Sequence, residues 1–144
     1  MGYAVGSLLA LVVSFFANRS GFDRDRAFYP TVLIVVASYY VLFAAVGGTS
    51  QALLIELALM AIFVLIAVAG FKFNLWAAAA GLAGHGVLDI FHAGVVTNSG
   101  VPVWWPAFCM AYDVCAGACL AWLLTARSPR SRQSEAGRIF PLDV

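Results

Sequence analysis

Apolar residues in this chain fall into long, nearly unbroken runs separated by short polar turns, instead of the narrow stripes that mark helices of a soluble domain. At about twenty residues per membrane span, five runs separate: Tyr3–Ala17, Ala27–Gly47, Ala52–Phe71, Leu75–Val96 and Val103–Ala126. The pattern predicts an all-α polytopic membrane protein. Residues 1–126 form a single five-helix transmembrane domain, and residues 127–144, rich in serine and arginine, form a short, loose, polar tail. The first run is short, but no basic stretch precedes it, and Arg19, Arg24 and Arg26 follow it. It therefore reads as a retained span, not a cleaved leader.

Basic residues set the orientation, because lysine and arginine gather on the cytoplasmic side. Arg19, Arg24 and Arg26 follow the first run, Lys72 the third, and Arg127, Arg130, Arg132 and Arg138 the fifth. With five spans, all eight positive side chains fall on one side. The N-terminus is then outside, the C-terminus is cytoplasmic, and the chain is a multi-pass protein of the inner (plasma) membrane. The tail arginines are placed to rest on anionic headgroups. Asn98-Ser-Gly100 and Pro102 mark an outer turn, and Trp104-Trp105 behind it suit the headgroup belt.

Composition agrees. The chain of 144 residues is 63% hydrophobic and 10% charged, too apolar for a soluble domain. A net charge of +1, with no basic stripe interleaved with aromatics, excludes nucleic acid as a partner. Cys109, Cys115 and Cys119 make neither a CxxC pair nor a secreted disulfide pattern and read as small buried hydrophobes. Only Cys109 shares a helix face with Asp113, which makes it a spare ligand at most.

The informative exception to the apolar pattern is Gly81-Leu-Ala-Gly-His85-Gly-Val-Leu-Asp89-Ile-Phe-His92. Ionisable side chains at mid-span cost about 2.5–3.5 kcal/mol each on insertion scales, so a cluster of them marks a site. At 100° per residue, His85, Asp89 and His92 share one face of the fourth helix, and Ala77 and Gly81 extend it with small residues that admit a neighbouring helix. Counting about 1.5 Å per residue from the outer ends puts His92 and Glu56 about 6 Å deep, Asp89 about 10 Å, and His85 and Asp113 about 15–17 Å. Five polar groups from three helices thus fall in one layer of the outer half of the bilayer. Glu56, alone on its helix, needs an interior partner, and His92 matches it in depth.

The two histidines are separated by about 10.5 Å along the axis, so one ion bridging both would be stretched. Pairs are easier: His85 with Asp89, or Asp89 with His92, completed by Asp113 or Glu56 in a mixed N/O shell suited to zinc or iron. The expected metal ligands are His85, Asp89 and Asp113, with His92 and Glu56 as the catalytic acid–base pair. Haem is a weaker reading, since i, i+7 histidines cannot ligate one iron from opposite faces. A purely structural lock of the bundle by His–Asp hydrogen bonds is the alternative. Tyr39 and Tyr40 read as interfacial tyrosines or pocket lining, and Asp23, Arg24, Asp25 and Arg26 as a solvated loop.

The run His85-x3-Asp89-x2-His92, then Asn98-x-Gly-x-Pro102 with Trp105-Pro106, then Asp113 on an apolar helix ending near Trp122, with Glu56 ahead, resembles a bacterial family. Its members are small five-span membrane proteins catalogued as a domain of unknown function, numbered six-zero-one-zero. The resemblance covers about Gln51 to Leu124 and implies fold and site position but no reaction. It also implies a second histidine directly after His92, where this chain has Ala93. A weaker analogy of chemistry alone links the i, i+4 His–acid pair to emopamil-binding-type sterol isomerases, which use a proton relay and no metal.

Three functions follow as expectations. The first is a metal-dependent, hydrolase-type enzyme acting on a lipid or amphiphile. The second is a metal-free lipid isomerase or cyclase. The third is a non-catalytic accessory subunit or ion-binding membrane protein, as a homo-oligomer or beside a partner membrane subunit.

Overall fold

The computed structural model describes residues 1–127, and the predicted tail beyond Arg127 lies outside the described residues. Among those residues every regular element is helical: α1 (Gly2–Ser20), α2 (Phe28–Gly47), α3 (Ser50–Lys72), α4 (Leu75–Val95) and α5 (Trp105–Ala126), with a short 3-10 turn over Phe22–Arg24. The bounds lie within three residues of the apolar runs, and local chemistry sets them. Gly21 ends α1 in the left-handed region at φ 85°, which only glycine adopts freely. The Thr49 hydroxyl accepts from the Ala52 amide to open α3, and the Asn74 side chain accepts from the Trp76 amide to open α4. Pro106 sits in the first turn of α5, where its missing N–H costs nothing.

Four of the helices, α1, α2, α3 and α5, are long and apolar enough to cross a membrane. The fourth segment, α4, is the most instructive. Its buried face carries His85, Asp89 and His92, while its exposed face presents Trp76, Val87, Ile90, Phe91 and Val95. A soluble amphipathic helix has the opposite arrangement. The large apolar side chains on the exposed face of α4 match those that the four span-length helices turn outward. The chain is a membrane protein.

Helix α4 packs against α5 and α3, α2 closes the bundle against α3, and α1 lies on the outer side of α5. Small residues allow the close approaches. A Cβ on Gly6 of α1 would collide with the Phe108 carbonyl of α5. At Gly86 of α4 it would meet the Met110 carbonyl at 3.0 Å and the Asp113 Cβ at 3.4 Å. Gly81 faces Leu33 and Ile66, so the small residue expected to admit a neighbour admits both α2 and α3.

Contacts sort the loops into two ends. At one end Arg127 Nη2 lies 2.8 Å from Asp23 Oδ2, and Arg26 donates to the Gly70 carbonyl. At the other, Ser99 donates to the Gly47 carbonyl and Asn98 to that of Tyr40. The Asp23 contacts correct the reading of Asp23–Arg26 as a wholly solvated loop. Asp23 is buried and accepts from both Asn18 and Arg127, tying the α1–α2 connection to the end of α5.

Candidate functional site: a buried donor cluster and a second dyad

The close approach at Gly86 brings His85 of α4 against Asp113 of α5. His85 Nδ1 lies 2.7 Å from Asp113 Oδ2 and 3.7 Å from Asp89 Oδ2, and the Cys109 thiol reaches the same Asp113 oxygen at 3.5 Å. One nitrogen, two carboxylate oxygens and one sulfur, all buried, lie within 4.8 Å of one another. A tetrahedral ion with bonds of about 2.0–2.3 Å needs donors about 3.3–3.8 Å apart, so small side-chain rotations convert the cluster into a coordination shell. The His85, Asp89, Cys109 and Asp113 group can hold a metal ion.

Two atoms reinforce that chemistry. Asp89 Oδ2 and Asp113 Oδ1 are buried without a hydrogen-bond partner. A buried acceptor left unsatisfied costs about 1–3 kcal/mol, more when charged, so two in one cluster mark a place that favours a cation.

His92 does not join this cluster. Its Nε2 lies 2.8 Å from Glu56 Oε1 of α3, the partner that equal depth indicates, and Asn98 Nδ2 donates to the same oxygen at 2.9 Å. Tyr40 of α2 links the two groups. Its hydroxyl donates to Asp89 Oδ1 at 2.6 Å, and its ring stacks on His92 with centroids 4.0 Å apart. A cavity of about 10 Å³, the least room that holds one water, lies among Tyr40, Glu56, His85 and His92. Cys109 also forms part of the wall of a mostly apolar slot of about 540 Å³ lined by α2 and α5, with Leu9 of α1 and Phe22 and Asp25 of the α1–α2 connection.

The five residues singled out by sequence are therefore all buried, and they are divided between two groups: His85, Asp89 and Asp113 in one, and His92 with Glu56 in the other. Sequence reasoning underweighted Cys109 and missed Asn98 as a partner of Glu56. It also gave Tyr39 and Tyr40 equal weight, whereas Tyr40 is buried in the site and Tyr39 is exposed beside Trp105. Four-residue spacing from Asp113 was the available signal for Cys109. Ala93, where the family resemblance implies a histidine, is on the exposed face of α4, so a side chain there points away from both groups.

The Tyr40→Phe variant isolates the hydroxyl that joins the groups. It keeps the ring on His92 but leaves Asp89 Oδ1 without its donor, and the expected loss is about 1–3 kcal/mol, read from thermal unfolding in detergent.

Comparison with protein-family models, curated proteins and solved structures finds no match to this chain.

Proposed function

We propose that this protein is a five-span membrane enzyme of the hydrolase type, which holds a divalent zinc or iron ion on His85, Asp89 and Asp113 and acts on a lipid or amphiphile. The observation that carries the reading is that the donor cluster adjoins two spaces: His85 lines a water-sized cavity, and Cys109 lines a mostly apolar slot. Hydrolysis needs both, a water and a scissile bond brought to the same centre. An ion of this kind polarises the scissile group and lowers the pKa of a bound water toward 7. Water then adds to the ester carbonyl, the ester C–O bond breaks, and the proton goes to the alcohol that leaves. Protons pass through the His92–Glu56 dyad, which lines the cavity and reaches the loop at Asn98.

The inverted α4 supports a fifth span, and the grouping of Arg26, Lys72 and Arg127 at one end of the bundle supports an outside N-terminus and an inner-membrane location. Under this reading the site opens toward the outer leaflet. Kinship with the five-span family of unknown function rests on the motif from His85 to Asp113.

Purified protein in mixed micelles with a phospholipid ester is expected to release fatty acid, to stop on chelation and to recover on addition of zinc or iron. The hydrogen bonds of Tyr40 to Asp89 and of His92 to Glu56 favour a second reading, lipid isomerisation by proton transfer. Isomerisation that survives chelation, with no fatty acid released, would overturn the hydrolase.

A further inference from the structure

The small cavity beside the donor cluster is lined by polar residues with an atom to spare. His85 gives Nδ1 to Asp113, which leaves Nε2, and Glu56 gives Oε1 to both His92 and Asn98, which leaves Oε2. Neither Nε2 nor Oε2 is among the buried atoms that lie sealed without a partner, as Asp89 Oδ2 and Asp113 Oδ1 do. Tyr40 also lines the cavity, with its ring centroid 6.0 Å from that of His85. Its hydroxyl donates to Asp89 and keeps lone pairs that can accept. Apart from His92, the rest of the wall is Ala37, Leu59, Met60, Phe63 and Leu88, whose side chains hold no nitrogen or oxygen. The cavity of about 10 Å³ has room for one water, and a buried water makes about two to four hydrogen bonds.

We propose that this cavity is a binding site for one water, which joins His85 Nε2 to Glu56 Oε2 and makes the donor cluster and the dyad one hydrogen-bonded network. Water suits the place because it can turn. The neutral imidazole carries one proton, on either nitrogen. With that proton on Nδ1 and held by Asp113, Nε2 is bare, and the water donates to Nε2 and to Glu56 Oε2. With an ion on Nδ1, the proton belongs on Nε2, and the water accepts there while donating to Glu56 Oε2 and the Tyr40 oxygen. A fixed donor or a fixed acceptor would serve one of these states, and a water serves both. The water site itself needs no ion. Its bearing on metal binding rests on the metal site proposed above, where the water becomes the outer partner that fixes the tautomer of a ligating histidine.

The test is nitrogen-15 NMR of histidine-labelled protein in nanodiscs, first free of metal and then with zinc. The chain has two histidines, so one variant, His92→Gln, assigns both rings. The metal-free wild type is expected to show magnetisation transfer from a slowly exchanging water to the His85 ring, and zinc is expected to move the ring proton to Nε2 with the water contact kept. Ala37→Val, on the cavity wall but outside both groups, adds two methyl groups in the room of the water. It is expected to abolish the transfer and to weaken zinc binding by about tenfold or more. Ala37→Ser, whose hydroxyl can stand in for the water, is expected to keep zinc affinity near that of the wild type. No transfer to His85 in the metal-free wild type would overturn the water site, whatever the variants do. Transfer to His85 without zinc uptake would uphold the water site and end the metal reading alone. Zinc affinity in Ala37→Val equal to that of the wild type, with the transfer lost, would overturn the water's bearing on the ion.

Discussion

Elemental analysis of the detergent-purified protein is expected to return near one zinc or iron per chain, and the His85→Ala and Asp113→Ala variants are expected to return none. The size of the effect follows from the geometry. Asp113 Oδ2 is the hub of the cluster, approached by His85 Nδ1 at 2.7 Å and by the Cys109 thiol at 3.5 Å. Removing Asp113 takes away a carboxylate and leaves one nitrogen, one sulfur and the Asp89 oxygens, and removing His85 takes away the cluster's sole nitrogen. Either loss leaves an incomplete shell in a place where water is scarce and cannot readily fill it.

Cys109→Ser separates two versions of the shell. If sulfur is a ligand, the change weakens a soft ion more than magnesium or manganese, because hydroxyl oxygen is a harder donor than thiolate. Uptake also has a defined pH direction. A protonated imidazole or an intact thiol cannot coordinate, so binding releases protons and affinity falls as pH falls. Full loading of both alanine variants, or no metal in the wild type after reconstitution with excess ion, would sink the metal-site reading.

The architecture was legible in the sequence because lipid imposes one rule on every span: backbone polar groups are satisfied inside a helix, so each apolar run of sufficient length becomes one. The polar face of α4 was legible for a similar reason, since i, i+4 and i+7 spacing fixes a direction before any packing is known. What spacing cannot fix is the rotation of one helix against another. Tyr40 and Tyr39 are adjacent in sequence, and only the rotation of α2 decides that the first reaches Asp89 while the second stacks near Trp105. Asn98 is a turn residue by composition, and its bond to Glu56 exists because the α4–α5 loop folds back over the first turns of α3. Asp23 shows the reverse error. A charged run looks solvated in sequence, yet the end of α5 supplies Arg127 to one carboxylate in it.

The division of five residues into a cluster and a dyad gives the second large effect. Glu56 and His92 are 2% and 3% exposed, so removing Glu56 strands His92, and removing His92 leaves the Glu56 carboxyl with the Asn98 amide alone. Glu56→Leu or His92→Leu alone is expected to cost about 3–5 kcal/mol, measured by reversible unfolding in mixed micelles. The double replacement of Glu56→Met with His92→Phe removes both polar groups at similar volume. Buried pairs exchanged for well-packed apolar residues are commonly neutral or stabilising by about 1–4 kcal/mol, so the double variant is expected to recover most of the loss. Asn98 keeps its other acceptor, the Tyr40 carbonyl at 3.2 Å, and so is not stranded. A bundle that is as stable without the dyad as with it has no structural need for the dyad, and its retention in the middle of an apolar protein then points to proton transfer. The double variant is accordingly expected to bind metal on His85, Asp89 and Asp113 as the wild type does while losing fatty-acid release. Wild-type turnover in that variant would remove the dyad from the reaction. A double variant no more stable than either single one would make it a clasp between α3 and α4.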